Sequence, residues 1–249
     1  MSGHSKWASI KHTKGAKDKA RGKLFAKLIR QVEVAAREGG GDPESNATLR
    51  TMFQKARDSS VPLDTIERAI KRGTGELEGV RYESISYEGY APCGVAVYVE
   101  CLSDNRNRTG AEVRSTFSKL GGSIAEPGAV AWQFERKGVV ILPKTVTEDD
   151  LMLIALEAGA EDLADQGDTW QLTCPPGDFL TLRGALEEAG IAFDSADLTM
   201  ISTTSVPLDN EGDARKVLRL IDALEDHDDV QNVYANFDIP DAVLELVEA

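Results

Sequence analysis

Side chains suited to metal binding and catalysis are scarce in this sequence of 249 residues. It holds three histidines and three cysteines. The cysteines, Cys93, Cys101 and Cys174, are odd in number and show none of the spacings of a metal site or a disulfide framework. We therefore expect buried, reduced thiols and a protein of a reducing compartment.

Long apolar segments are also lacking. The longest charge-free apolar stretch runs only from Tyr90 to Val99. That is about half of the roughly 20 residues with which a helix crosses a bilayer. The sequence therefore predicts no membrane-spanning segment, and we expect no membrane partner.

Enzyme signatures are weak or missing. Gly15 to Lys23 resembles a nucleotide phosphate loop, but six residues instead of four separate its glycines, and Leu24 stands where serine or threonine must hold magnesium. The nucleophile-elbow and zinc-protease motifs do not occur. His4 and His12 lie among lysines, which disfavour a bound metal cation. We expect no enzymatic activity, no cofactor, no metal and no small-molecule substrate.

Charge, in contrast, is plentiful and unevenly distributed. The formal net charge is −14. Residues 1–75 nevertheless hold 16 Lys and Arg against 8 Asp and Glu, a net charge of +8. The remaining 12 basic and 34 acidic residues give 76–249 a net charge of −22. Such asymmetry indicates a region that binds a polyanion, attached to a body that repels it.

Three segments with helical periodicity follow a basic N-terminal arm, residues 1–22. They cover residues 23–38, 43–57 and 62–73, and glycine or proline marks their ends. Each has one apolar face. The pattern therefore predicts a small three-helix bundle.

After Gly79 the apolar period changes from 3.6 to 2. The predicted strands are 82–87, 94–101, 130–134, 139–142, 161–164, 169–174, 197–206 and 230–237, and the predicted helices are 108–120, 148–158, 178–189 and 210–225. Within this series, residues 138–206 follow the β-α-β-β-α-β order of ferredoxin-like domains.

The sequence thus predicts an α+β protein of three domains. An N-terminal three-helix bundle is followed by two ferredoxin-like α/β domains, and the third domain is inserted in the second. The predicted limits are 1–79 for the bundle, 80–137 plus 207–249 for the discontinuous domain, and 138–206 for the inserted domain.

The basic arm and first helix form the clearest candidate binding surface. Nine basic residues and one acidic residue fall within the first 30 positions, and each cation can neutralise a phosphate and release counterions. Trp7 adds a ring that can stack on a base. The candidates are Lys6, Trp7, Lys11, His12, Lys14, Lys17, Lys19, Arg21, Lys23, Lys27 and Arg30. Two alternatives stay open: the lysines form a solvated face, and Trp7 anchors the arm to the bundle.

A second candidate lies between a predicted strand and helix, at residues 103–109. Arg106 and Arg108 stand here, and free backbone amides at a helix start attract phosphate. Equally, the polar side chains cap the helix while the arginines pair with nearby acids. Trp132 and Phe134 alternate on a predicted strand, which favours core positions over a stacking surface.

Several motifs together resemble the YebC/PmpR family. They are SGHSKWASIKH at 2–12, RGKLFAKLIR at 21–30, IERAIKRG at 66–73, YEGY at 87–90, DNRNRT at 104–109 and GAVAW at 128–132. The resemblance covers nearly the whole chain. Three residues depart from the usual pattern: Thr13 stands where Arg is frequent, Ala26 where Thr is frequent and Cys93 where Gly is frequent. The first departure removes one expected phosphate contact.

The resemblance implies a helical N-terminal domain, two α/β domains and a role in gene expression. Members are described as DNA-binding transcriptional regulators. Others, including the mitochondrial translational activator of cytochrome c oxidase subunit one, are described as ribosome-associated translation factors. The expected partner is nucleic acid, either DNA or ribosomal RNA, with the ribosome as a further partner. Because the family motif begins at residue 2, we expect a cytoplasmic protein.

Three hypotheses for function remain open. A transcriptional regulator accords with the family description, although no helix-turn-helix or coiled coil is apparent. A translation factor accords with the charge division, since a basic domain can enter ribosomal RNA while an acidic body stays outside. An acidic protein-interaction module would instead bind a basic partner through residues 76–249.

Overall fold

The computed structural model describes residues 17–248, which divide into two compact units. The larger unit runs up to Gln133 and resumes at Thr204, and the inserted unit spans Phe134–Thr203. Within residues 17–248, no helix combines the length and the apolar character needed to cross a membrane.

The secondary structure follows in chain order. The helices are α1 (Lys17–Gly39), α2 (Ala47–Asp58), α3 (Leu63–Thr74), α4 (Arg106–Lys119), α5 (Glu148–Glu157), α6 (Phe179–Glu188), α7 (Glu211–Glu225) and α8 (Asp241–Glu248). The strands are β1 (Glu83–Tyr90), β2 (Ala96–Ser103), β3 (Ser123–Ala125), β4 (Phe134–Pro143), β5 (Asp162–Asp165), β6 (Thr169–Cys174), β7 (Ser195–Ser202), β8 (Val206–Pro207), β9 (Val230–Ala235) and β10 (Phe237–Asp238).

The helical region, α1 to α3, packs around a small apolar core that includes Leu28, Leu49 and Ile66. Helix α3 lies so close to α1 that a Cβ added at Gly73 would sit 2.4 Å from the carbonyl oxygen of Glu33. Only glycine permits this approach. Helix α2 begins later than predicted because the side chain of Asn46 caps it, accepting the amide of Leu49 at 3.0 Å.

The rest of the larger unit is built on a four-stranded antiparallel sheet of order β3-β1-β2-β9. Its apolar face packs with α4, α7 and α8 in the largest core of the molecule, around Val97, Phe117 and Ile221. Strands β8 and β10 form a separate two-stranded parallel ladder.

The chain leaves the larger unit and returns to it at neighbouring points. The side-chain oxygen of Gln133 accepts hydrogen bonds from Thr204 Oγ1 at 2.8 Å and from Asn236 Nδ2 at 3.0 Å. Asn236 in turn accepts the amide of Ala96 at 2.8 Å. This partly buried network joins the last residue before the insertion, the first residue after it, the start of β2, and the residue between β9 and β10.

The inserted unit has the element order β4-α5-β5-β6-α6-β7 and the sheet order β5-β6-β4-β7. This is the predicted ferredoxin-like arrangement, in which both crossover helices cover one face. Val140, Leu172 and Leu182 belong to the core between sheet and helices.

The predicted fold class is confirmed: a helical N-terminal region precedes two antiparallel-sheet domains in a mixed α+β chain. In the sheet of the larger unit, the chain order differs from the ferredoxin-like one, because the β1–β2 hairpin forms its two central strands. The residue limits of the three predicted domains stay predictions.

The prediction was wrong about the strands near Gly138. It placed two strands, at 130–134 and 139–142, on either side of a turn, whereas β4 is continuous from Phe134 to Pro143. Gly138 is needed for close packing, since an added Cβ would lie 2.6 Å from Cys174 Sγ and 2.8 Å from Phe179 Cδ2. The short β3 and the C-terminal α8 were not predicted, and the strand predicted at 197–206 is divided between β7 and β8.

Candidate nucleic-acid interface

The basic face of α1 contacts the C-terminal end of α7. Lys23, Lys27 and Arg30 recur every three or four residues and therefore share one face of the helix. Their cationic groups donate to backbone carbonyls of the last residue of α7 and of the turn that follows it. Lys27 Nζ lies 2.6 Å from the oxygen of Glu225, Lys23 Nζ lies 3.0 Å from that of Asp226, and Arg30 Nη1 lies 2.6 Å from that of Asp228.

This contact has a clear electrostatic cause. The last carbonyls of a helix are unpaired and carry partial negative charge, and α7 has no basic residue in its own last turn. Helix α1 supplies the missing cations. Lys23 also pairs with the carboxylate of Asp226, and burial lowers the pKa of Lys27 against the opposing effect of Glu225. The face that the sequence assigned to phosphate is thus occupied by the protein itself.

Asp229 lies buried beside this contact, with 5% of its surface exposed. Its Oδ2 accepts hydrogen bonds from Thr109 Oγ1 at 2.7 Å and from Arg108 Nη2 at 2.8 Å, and Ser103 Oγ lies 3.3 Å away. Its Oδ1 faces Arg30 Nη1 at 3.5 Å. One carboxylate therefore connects α1, β2 and α4.

The surroundings of Asp229 favour its charged form. Burial by itself would raise the pKa of the carboxyl, but the hydrogen bonds from Thr109 and Arg108 outweigh burial and hold the pKa below its ordinary value. Asn105 caps α4 by accepting the amide of Arg108 at 3.1 Å. For residues 103–109, the geometry corresponds to the alternative of a capped helix with a paired arginine.

The remaining predicted site residues are placed as follows. Lys6, Trp7, Lys11, His12 and Lys14 lie outside the described residues. Lys17 and Lys19 belong to the first turn of α1.

Two predicted arginines lie at the surface of the larger unit. The guanidinium of Arg21 lies 5.3 Å from the centre of the Phe25 ring. The side chain of Arg106 is exposed at the start of α4, and its backbone carbonyl accepts the hydroxyl of Tyr87 at 3.4 Å. Neither cation forms an ion pair with the described part of the chain.

Helices α2 and α3 are joined by only four residues, 59–62, and Ser60 has a left-handed φ of 63°. A link of this length is typical of helix-turn-helix units, which the sequence did not reveal. The exposed face of α3 is of mixed charge, with Arg68 paired to Asp64 across one turn and Glu67 and Lys71 beside them. It lacks the uniformly basic surface of a helix held against phosphate.

A second built feature centres on Glu88, of which only 6% is exposed. Its carboxylate accepts three backbone amides of the loop before β4: Gly128 and Val130 at 2.7 Å, and Ala131 at 2.8 Å. Burial opposes the charge, but these three bonds keep the pKa of Glu88 below its ordinary value. The motifs YEGY and GAVAW, separate in sequence, are therefore one structural assembly.

The same loop displays Trp132 at the surface. Its side chain is 68% exposed, and Ala131–Gln133 form a turn of 3-10 helix. The sequence-based placement of Trp132 in the core was wrong, because the strand begins only at Phe134, which is 7% exposed and buried as predicted.

Comparison with known proteins identifies the relatives of this chain. Family models described as the TACO1/YebC protein N-terminal domain and the TACO1/YebC second and third domain match residues 5–76 and 82–237. A "Probable transcriptional regulatory protein" of Halothermothrix orenii is 57% identical over 250 residues, which cover 99% of each chain. A protein of the same name from Thermobifida fusca is 58% identical over 246 residues, 98% of each chain.

The chain belongs to the TACO1/YebC family. The resemblance drawn from its motifs is thereby confirmed. A conserved hypothetical protein from Aquifex aeolicus, known from a crystal structure, is 46% identical with a TM-score of 0.80, over 90% of this chain and 93% of that one.

In this TACO1/YebC chain, sequence reasoning missed the acidic partners of the predicted cations. Asp229 is separated from Arg30 by 199 positions and from Arg108 by 121, so no local pattern could have joined them. Glu88 did carry a signal, since it is a charged residue inside a family motif on a predicted strand.

Proposed function

We propose that this protein is a non-enzymatic regulator of gene expression that binds nucleic acid through the cations at its N-terminus. The observation that carries the proposal is the division of charge, +8 over residues 1–75 against −22 over the remainder. Polyanion binding by the first region and repulsion by the second follow from Coulomb's law. The names of the curated relatives, probable transcriptional regulatory proteins, agree with this class of function.

We further propose that only some of the predicted cations contact phosphate. Lys23, Lys27 and Arg30 donate to backbone carbonyls at the end of α7, so these donors are already engaged within the protein. In the proposal they orient the helix, while the cations that precede them contact phosphate. These contacting residues are Lys6, Lys11, His12, Lys14, Lys17, Lys19 and Arg21, with Trp7 among them and Arg106 as a further surface cation.

The test is a salt titration of nucleic-acid binding. Replacing Lys6, Lys11, Lys14 and Lys17 by Ala should weaken binding at every sequence alike. It should also reduce the slope of log affinity against log salt by about 0.7–0.9 for each lost contact.

The matched control replaces four lysines of the acidic region by Ala, which changes the net charge equally: Lys119, Lys137, Lys144 and Lys216. We expect the control to leave the slope unchanged. Equal slopes for the two quadruple variants would show that total charge, rather than an N-terminal contact surface, governs binding.

Two nucleic-acid targets compete within this proposal. Transcriptional regulation, the function in the relatives' names, would use duplex DNA, and the four-residue link between α2 and α3 favours it. A ribosome-associated translation factor would use structured RNA. The charge division favours this second candidate, because the acidic body is repelled by a long duplex but tolerated when only the N-terminal region enters a cavity.

Competition between the two targets distinguishes the candidates. At about 150 mM salt, close to physiological ionic strength, a ribosomal RNA fragment and a DNA duplex of equal phosphate count compete for the protein. We expect the RNA fragment to compete more strongly than the duplex for binding to the protein. We also expect the protein to co-sediment with ribosomes. If the DNA duplex competed more strongly than the RNA fragment, transcriptional regulation would be the favoured candidate function.

A further inference from the structure

The exposure of Trp132 is not explained by the fold. A large aromatic side chain stabilises a protein most when it is buried, yet 68% of this one is exposed. Along the described chain, the exposed large apolar residues nearest to it in sequence are Val80 and Met152. Among the described residues, the loop of Trp132 displays no second exposed large apolar side chain, and the residues that precede it, 126–128, are exposed.

Several contacts fix the conformation of the loop that carries the indole. Three of its backbone amides donate hydrogen bonds to the buried carboxylate of Glu88 and hold the backbone in place. Val130, fully buried, anchors it to the core, and Gly128 supplies a left-handed φ of 90°. Such preorganisation is typical of side chains that bind a ligand in a fixed pose.

Two aromatic side chains direct their polar atoms to the same point. The Nε1–H of Trp132 donates to the carbonyl oxygen of Ala129 at 3.1 Å, and the hydroxyl of Tyr90 donates to that oxygen at 3.4 Å. Because the loop already satisfies the indole donor, the exposed part of Trp132 offers only its π surface to a ligand. A ring of this kind recognises a flat group by stacking rather than by hydrogen bonding.

We propose that Trp132, with Tyr90 beside it, is a stacking platform for an unpaired nucleobase. The inference rests on the proposed function, in which the N-terminal cations bind the phosphates of the same nucleic acid. Single-strand binders combine cations for the backbone with aromatic rings for the bases. In this proposal the N-terminal cations supply the first part, and Trp132 on the acidic body supplies the second.

A protein partner fits this surface less well. Aromatic residues at the centre of protein interfaces lie in well-packed apolar surroundings, whereas the loop of Trp132, within the described chain, displays no other exposed large apolar side chain. Base stacking requires only one accessible ring face, and it tolerates any base. The platform therefore gives the protein a preference for unpaired over paired nucleic acid, without a preference for sequence.

The test compares two polymers of equal charge, a 12-nucleotide single-stranded oligouridine and an abasic chain of the same length. For the full chain, Trp132→Ala should weaken binding of oligouridine by about 5- to 160-fold, the range for one stacked base. It should leave binding of the abasic chain unchanged. Trp132→Phe should retain most of the affinity, and oligouridine should quench the tryptophan fluorescence of the wild type more than that of this variant.

The matched control is Leu153→Ala, which truncates another apolar side chain that is 70% exposed and should alter neither affinity. Equal oligouridine binding by the wild type and Trp132→Ala, with the abasic chain still bound, would overturn the platform alone. Failure of the wild type to bind either polymer would also overturn the platform. Failure of the wild type to bind the ribosomal RNA fragment and the DNA duplex as well would overturn the proposed function.

Discussion

Two buried carboxylates, Glu88 and Asp229, organise the two ends of the central hairpin in different ways. Both are nearly inaccessible, at 6% and 5% exposed, and both have a pKa held below the ordinary value. The hydrogen bonds that Glu88 accepts come from backbone amides of one loop. Asp229 accepts hydrogen bonds from side chains, among them those of Thr109 and Arg108.

The difference decides what each carboxylate controls. Backbone amides are present whatever side chains the loop carries, so Glu88 fixes the backbone conformation of the loop. The side chain of Trp132 takes no part in these hydrogen bonds. The partners of Asp229 are themselves charged or polar side chains on α1, β2 and α4. Asp229 therefore binds two arginines of basic motifs, Arg108 and Arg30, within the protein.

The largest effect is expected for Asp229→Ala. Removing this acceptor takes a charged hydrogen-bond partner from the buried hydroxyl of Thr109, and one such bond contributes about 1.5–3 kcal/mol. It also removes one of the two carboxylate partners of the half-exposed Arg108. Urea unfolding followed by circular dichroism measures the loss. Asp228→Ala is the control, since this exposed neighbour contributes its backbone carbonyl to Arg30. Similar stability of both variants would show that Asp229 is dispensable.

A smaller, pH-dependent effect is expected for Glu88→Gln. A glutamine amide presents a donor where the loop also presents donors, and a buried unsatisfied group of this kind costs about 1–3 kcal/mol. Because the folded-state pKa of Glu88 lies below the ordinary 4.5, its stabilisation is complete above that pH. It is lost as the pH falls through the folded-state pKa.

Unfolding midpoints of the wild type and Glu88→Gln at pH 7, 5, 4 and 3 test this linkage. The gap between them should be constant from pH 7 to 5 and should narrow at lower pH. A gap that stays constant down to pH 3 would contradict the ionised, hydrogen-bonded carboxylate. As a control, Glu126→Gln in the same loop should lower the midpoint at none of these pH values, because that residue is exposed.

Local sequence patterns predicted most of the fold but little of the site. Apolar periodicity located α1 to α3 and the ferredoxin-like unit, because burial of one face requires that periodicity. The same reasoning took Gly138 as a turn, although it permits close packing inside β4. It also gave no indication that Lys23 pairs with Asp226, because the two residues lie 203 positions apart. Charge composition shows how many cations a region has, but only the fold shows which are already paired.

The smallest effect is expected where the same kind of charge pair is exposed. Lys23 and Asp226 form an ion pair at the surface, with 77% of the Asp226 side chain exposed. Solvent and salt screen such pairs, and their coupling is typically below about 1 kcal/mol. A double-mutant cycle of Lys23→Ala and Asp226→Ala, measured by urea unfolding, should therefore give a coupling within that range that declines as salt rises. The cycle of Arg108→Ala and Asp229→Ala is the counterpart with a buried carboxylate, since 8% of the Asp229 side chain is exposed, and it should give the larger coupling. Equal couplings would show that burial of the carboxylate does not determine how much an ion pair stabilises this fold.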